Sequence, residues 1–363
     1  MRIPLSIALL MCMSLNVAAA SDADTTRIAS LTSSSVEEQH RPRLQLYGFV
    51  RNYMCYDSRR CYSTLGEMFN IMPMDEALNG DGTEDLNAVH EFTFVSFTSR
   101  VGLDVAGPRI WNAASSAKIE ADFCGFGANN TMLRIRQAYV RLEWQRVSVM
   151  CGQTWHPMSI LVMPSVSGLA TGAPFAPFNR SPQLNVEAGL GSQWLLTAAA
   201  IYQFPNASTG PDGITYHYSR WSGYPELYVG IRRVGRHLTA GVGADLLSIM
   251  PRRYSMIQRE VTESDGTVSM QEVAVRADDH ATGISAEAFA DYRYGKFNIK
   301  GKVIYGENTA PLTIVSGFGA TAYDPTTGSY DYAPIRSVTT WLNATYGTRL
   351  RVGIMGGLMQ NLG

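Results

Sequence analysis

Between Phe92 and Val105 the chain alternates: Val95, Phe97, Val101, Leu103 and Val105 share one face, while Ser96, Thr98, Arg100, Gly102 and Asp104 share the other. Period-two alternation is the mark of a strand with one apolar and one wet face. The same pattern returns in Ala117 to Phe123, Leu238 to Leu247, Ile284 to Tyr294 and Phe297 to Tyr305. Less regular stretches compatible with strands run from Leu44 to Tyr53, Leu133 to Trp144, Val147 to Trp155, Gln183 to Leu190, Gln193 to Gln203, Glu226 to Val234, Val338 to Tyr346 and Arg349 to Leu358. In Leu133 to Trp144 the face that carries Arg134 and Arg136 continues through Ala138 and Val140, which calls for a bulge.

Some connections are two-residue turns, such as Gly295-Lys296 and Gly235-Arg236. Others are long: Ser63 to Val89, His156 to Pro182, Gln203 to Pro225, Ile249 to Thr282 and Glu307 to Arg336. Short turns that alternate with long loops, on strands with one apolar face, suit a membrane barrel with one plain and one elaborated rim, although a soluble sandwich alternates too. Two features favour the barrel. Aromatic residues cluster near the ends of the apolar faces (Tyr292, Tyr294, Phe297, Tyr305, Trp194 and Tyr202), and these faces mix small residues with aliphatic ones, which suits lipid better than a packed core. The expected fold is therefore an all-β, antiparallel transmembrane β-barrel. About thirteen strands are legible, and an even total of about 14 to 16 is expected of a complete barrel, with the last strands missing beyond Gly363.

Mean hydropathy is -0.07, and after the first residues no apolar run reaches the roughly 20 residues of a membrane helix. The chain opens with Arg2, an apolar stretch from Ile3 to Val17 and Ala18-Ala19-Ala20 before Ser21, the layout of a cleaved secretory signal peptide over residues 1–20. Residues 21–43 read as a flexible lead-in, and the barrel is expected over 44–363. Of the cysteines left after cleavage, Cys55 and Cys61 are a candidate disulfide, with free thiols as the alternative. A formal net charge of -1 in 363 residues argues against nucleic acid as a partner.

If the apolar faces meet lipid, the opposite faces put Arg100, Asp104, Lys118, Glu120, Asp122, Asp245, Glu287, Asp291, Arg293, Lys300 and Lys302 in the lumen as candidate pore-lining groups. Charge facing hydrocarbon costs about 2 to 4 kcal/mol per residue at the midplane, which sets the facing. On this reading arginine at Ala288 blocks insertion, whereas arginine at Glu287 is tolerated. Two loops are candidates for folding into the pore: Ser63 to Val89, with Asp75, Glu76, Asp81, Glu84 and Asp85, and the proline-rich Pro157 to Pro182. The six histidines are scattered, and there is no CxxC pair, HxxxH spacing or GxSxG, so no catalytic residue, metal or cofactor is expected. A barrel hydrolase or protease, or a structural or adhesive barrel, is the alternative to a channel.

Four motifs then resemble one family. Lys118-Ile-Glu-Ala-Asp-Phe123, Leu133-Arg-Ile-Arg-Gln-Ala-Tyr-Val140, Gly152-Gln-Thr-Trp-His-Pro157 and Asn179-Arg-Ser-Pro-Gln183 resemble the porins of the DcaP-like group and related outer-membrane porins of the Bacteroidales. Leu44-Gln-Leu-Tyr-Gly-Phe-Val50 is similar to the first strand of that group. The resemblance implies a homotrimer of barrels in outer-membrane lipid, each passing small-molecule solutes, with Arg134 and Arg136 added to the pore wall.

Overall fold

The computed structural model describes residues 42–64, 69–125, 132–166, 171–262 and 264–363. The expected signal peptide and nearly all of the lead-in lie outside them, but Arg43, assigned to the lead-in, is the first residue of a strand. The chain forms two compact units, one running to Thr154 together with 166–169, the other holding 155–165 and 170–363.

The first unit contains β1 (Arg43–Phe49), β2 (Tyr53–Asp57), β3 (Cys61–Thr64), β4 (Phe69–Pro73), β5 (Glu91–Val95), β6 (Arg100–Ile110), β7 (Ala113–Asp122), β8 (Arg134–Glu143) and β9 (Val147–Trp155). Its main sheet is antiparallel in the order β1-β6-β7-β8-β9. The Trp111-Asn112 turn that joins β6 to β7 has φ of 50° and 63°, the left-handed pair that a two-residue hairpin of type I′ needs. The bulge expected in β8 is present. Ala121 pairs with Ile135 and Glu120 with Gln137, so Arg136 is the extra residue and Tyr139 and Arg141 return to the face of Arg134.

Two predicted strands are broken. Leu44–Tyr53 divides at 50–52 into β1 and β2, and Phe92–Val105 divides at 96–99 into β5 and β6. The two breaks are matched: the Arg51 N–H donates to Ser99 Oγ at 3.0 Å and Ser96 Oγ to Asn52 Oδ1 at 2.7 Å, while β2 pairs only with β5. The Ser99 hydroxyl, which also donates to the Ser96 carbonyl at 2.7 Å, here takes over backbone groups that a continuous ladder would have used. The candidate disulfide is corrected as well. Cys55 on β2 donates to the Asp57 carboxylate at 3.4 Å, Cys61 on β3 donates to the Arg59 carbonyl at 3.4 Å, and the two stand on separate hairpins and are not bonded to each other. In the loop that follows, the N–H of Ala77, the Arg59 guanidinium and the N–H of Asn87 hold the Asp85 carboxyl at about 2.

The second unit contains α1 (Pro157–Ile160), β10 (Arg180–Leu190), β11 (Trp194–Ile201), the short pair β12 (Thr209–Gly210) and β13 (Gly213–Ile214), α2 (His217–Ser222), β14 (Glu226–Val234), β15 (Leu238–Ile249), β16 (Tyr254–Thr262), β17 (Val268–Arg276), β18 (Ala281–Tyr294), β19 (Phe297–Glu307), β20 (Gly317–Tyr323), β21 (Tyr330–Gly347) and β22 (Arg351–Asn361). Its sheet runs β10-β11-β14-β15-β18-β19-β21, with β22 beside β21 and β20 paired with the first residues of β21, which β19 does not reach. With the five of the first unit, the strands of these sheets among the described residues number 14. Several connections read as loops carry strands, Ser63 to Val89 in the first unit among them, with β4. Ile249 to Thr282 holds the hairpin of β16 and β17, Gln203 to Pro225 holds β12, β13 and α2, and Glu307 to Arg336 holds β20 and the start of β21.

The wet and apolar faces follow the alternation. Along β18 Ala281, Gly283, Ser285, Glu287 and Phe289 are buried, while Thr282, Ile284, Ala286 and Ala288 are exposed. Exposed Ile284, Val242, Leu246, Val229, Val303 and Leu342 belong to the apolar faces of neighbouring strands. Ala288→Arg should therefore abolish or strongly reduce insertion, at a cost of about 2 to 4 kcal/mol, whereas Ala288→Leu should assemble normally. Yield of heat-modifiable folded protein after refolding into lipid vesicles measures both. Equal assembly of the two would mean that Ala288 does not face lipid.

Candidate functional site

In the first unit the charged face of β6, β7 and β8 is one continuous network. Asp122 accepts a paired contact from Arg134, Nε to Oδ1 at 3.0 Å and Nη2 to Oδ2 at 2.8 Å, and a third bond from Arg136 Nη1 at 2.7 Å. Arg136 Nε donates to Glu120 at 2.7 Å, and Arg100 lies 3.8 Å from the same carboxylate. Lys118 reaches Asp104 at 3.0 Å and the Tyr47 hydroxyl at 3.1 Å; that hydroxyl donates to Glu120 at 3.0 Å. Forked guanidinium–carboxylate pairs are the strongest and most directional of such contacts. Four cations, Arg100, Lys118, Arg134 and Arg136, here meet three carboxylates, Asp104, Glu120 and Asp122, so this wall has a positive surplus.

Tyr47 reaches Glu120 because the residue between them is glycine. Tyr47 pairs with Gly102 and Gly102 with Glu120, and a Cβ on Gly102 would lie 2.2 Å from the tyrosine ring. The second unit repeats the device. Tyr228 on β14 lies over Gly243 on β15 and donates to Glu287 on β18 at 2.9 Å, and a Cβ on Gly243 would meet its hydroxyl at 2.3 Å. A methyl group there must push the ring off its carboxylate, and such overpacking costs about 1 to 3 kcal/mol. Gly243→Ala should lower the thermal midpoint of the folded protein, and Tyr228→Phe added to it should cost little more. If Gly243→Ala melts like the wild type, the ring has room that the structure denies it.

The charged face of the second unit is covered by the segment that begins at His156. Met158, Val162 and Ala176 are buried against Ile201, Tyr228, Ile304, Phe289 and Trp341. Each large apolar side chain buried in this way contributes about 1.5 to 3 kcal/mol. Polar anchors fix the segment in place. Lys302 Nζ lies 2.8 Å from Glu287 Oε2 and also donates to the Met158 carbonyl, Lys300 donates to the Met163 carbonyl at 3.3 Å, and the Asn343 side chain accepts from the Ser165 N–H at 2.7 Å. The His156 ring joins them, with Nε2 2.9 Å from Glu226 and 3.9 Å from Asp245.

Of the sequence-predicted residues, Arg100, Asp104, Lys118, Glu120, Asp122, Arg134 and Arg136 share one network, and Asp291 and Arg293 pair with each other at 2.9 Å. Asp245, Glu287 and Lys302 stand on the expected face but are buried there, Lys302 and Glu287 completely at the side chain. The expectation that Glu287 tolerates arginine is thereby corrected: its carboxylate holds both Lys302 and Tyr228 in a dry setting. The sequence reading missed His156, Glu226, Tyr47 and Tyr228. Glu226 begins a strand next to Pro225, and the tyrosines share parity with charged positions, but neither signal marks a site.

The comparisons decide the architecture. DcaP, an outer membrane channel of Acinetobacter baumannii, superposes with a TM-score of 0.61 over 88% of this chain and 79% of that chain, at 19% identity. This chain has the fold of that channel. It is an all-β, antiparallel transmembrane β-barrel fold, as the alternation and the motifs led one to expect. A loop-deletion form of OmpT, an outer membrane protein of Vibrio cholerae, gives a TM-score of 0.48 at 12% identity, over 88% of this chain and 83% of that one. In-vitro folded OmpT gives 0.43 at 12% identity, over 88% and 87%. No family model matches the chain, and no curated protein does.

The DcaP-like motifs occupy the structural core of the charged walls. Lys118–Phe123 spans the end of β7, Leu133–Val140 contains the bulge of β8, Gly152–Pro157 leads from β9 into α1, and Asn179–Gln183 opens β10. The last two meet: the His156 N–H donates to the Asn179 carbonyl at 3.0 Å, and the Arg180 guanidinium lies 4.7 Å above the Trp155 ring.

Proposed function

We propose that this chain is an outer-membrane channel through which small polar or charged solutes diffuse. The observation that carries the reading is the charged face of β6, β7 and β8. Its guanidinium, ammonium and carboxylate groups line strands whose other side exposes Val101, Ile119, Ile135 and Val140, on the fold of a channel. Such faces suit a wall with hydrocarbon on one side and water on the other. Export through residues 1–20, a lead-in to residue 42, a membrane barrel from Arg43 onward and a homotrimeric assembly belong to the same proposal.

An enzymatic role is not part of it. The most buried histidine, His156, has both ring nitrogens engaged, Nδ1 accepting from the Met158 N–H at 3.1 Å and Nε2 donating to Glu226, so it has no free nitrogen with which to activate a nucleophile. Planar-bilayer recording of the purified full-length protein tests the channel. Stepwise insertions of constant conductance are expected, and well-folded protein that stays silent would refute the reading.

A further inference from the structure

The His156 neighbourhood gathers more carboxyl groups than cations. Because Nδ1 of His156 accepts a backbone N–H, the ring proton belongs on Nε2 and the ring is neutral. Three buried carboxylates, Glu226, Asp245 and Glu287, then face a single ammonium, Lys302, which is paired with Glu287. Glu226 takes neutral donors, His156 at 2.9 Å and Gln203 at 3.5 Å, and the His156, Glu226 and Asp245 atoms that could hold a metal ion lie within 4.8 Å of one another.

A second observation comes from another part of the chain. Asn308 and Thr309, in the turn after β19, line the same small cavity as Glu226 and Asp245. Each is 2% exposed; neither side-chain atom of Asn308 has a hydrogen-bond partner, nor does the Thr309 hydroxyl or Asp245 Oδ1. Buried polar atoms are rarely left unbonded, since each costs about 1 to 3 kcal/mol.

We propose that Glu226, Asp245, Asn308 and Thr309 form a binding site for one hard divalent cation of the calcium class. Two carboxylates, an amide carbonyl and a hydroxyl are the oxygen donors such ions take. The protonated Nε2 of His156 faces Glu226 as a donor, so the ring is a positioning residue and not a ligand, which disfavours zinc. The ion would tie β14, β15 and the turn after β19 together, and through His156 it would hold the start of the covering segment.

Calorimetric titration of CaCl2 into full-length protein, folded into detergent and freed of metal with EDTA, tests the site, with the thermal midpoint followed in parallel. About one ion per chain is expected, with a raised Tm, and weakening by on the order of tenfold or more in Asp245→Asn. Asn308→Ala, which changes no charge, should also weaken binding and serves if Asp245→Asn does not fold. Asp81→Asn, in the separate acidic loop, should bind as the wild type does. The proposal is overturned if folded wild type takes up no calcium at millimolar concentration, if both site variants bind unchanged, or if only Asp81→Asn loses binding. Wild type that binds no calcium but is stabilised by Asp245→Asn would assign the excess charge to repulsion or a shared proton, again against the proposal.

Discussion

Lys302→Met should be among the most damaging single changes in the second unit. The side chain is wholly buried, its ammonium lies 2.8 Å from Glu287, and it donates to the Met158 carbonyl. Methionine fits the stem of lysine but leaves the Glu287 carboxylate buried without a countercharge, and breaking one side of such a pair costs about 3 to 5 kcal/mol. The segment from Met158 onward also loses an anchor. Two readouts follow: a large fall in the thermal midpoint and, in bilayers, a larger or noisier conductance as the covering segment loosens. The double variant Lys302→Met with Glu287→Gln should regain much of the stability, because the charge is gone while an acceptor remains for Tyr228. A single variant as stable as the wild type would show that the pair is not buried as described.

Asp122→Asn should act on the first wall with comparable force. Asp122 is 1% exposed and takes three hydrogen bonds from two arginines. Asparagine cannot balance Arg134 and Arg136, and its amide turns a donor toward donors; a loss of about 3 to 5 kcal/mol is expected. Removing one negative charge from a wall already in positive surplus should also move the reversal potential in a salt gradient toward anions. That shift should fade in molar salt, where the screening length falls to about 3 Å. A variant that still conducts but keeps its reversal potential at low salt would place this network away from the ion path. The same reasoning weakens Lys302 as a selectivity residue, because a fully covered ammonium has little contact with passing ions, and leaves Lys300 as the more informative change on β19.

The sequence was most legible where period two was strict. The faces of β18 and β19 follow directly from the spacing of Ala286, Ala288, Lys300 and Lys302, because a one-residue slip would put charge into lipid. The bulge at Arg136 could be inferred for the same reason: two arginines and Val140 cannot share a face in unbroken alternation. Where the argument failed, alternation was present but pairing was not. Ser96 and Ser99 lie within a run that reads as one strand, yet their hydroxyls bond Asn52 and the Arg51 N–H, and the strand stops. The hairpin of β16 and β17 was missed from the other side, as polar residues on both faces of Tyr254–Thr262 left no apolar stripe to read.

By itself, then, the sequence determined the class of fold, the facing of the regular strands and the resemblance to one group of channels, all of which depend on local period or short motifs. Tertiary structure alone decided which of the charged residues are open and which are covered. Glu287 and Asp291 look alike in the sequence, but the segment from His156 to Ala176 buries the first and leaves the second near Arg293. It also decided the meeting of Glu226, Asp245 and Asn308, residues far apart in the chain. Their contact comes from the register of β14 on β15 and of β15 on β18, and from the turn after β19, and no spacing along one strand encodes an arrangement set by the pairing of several.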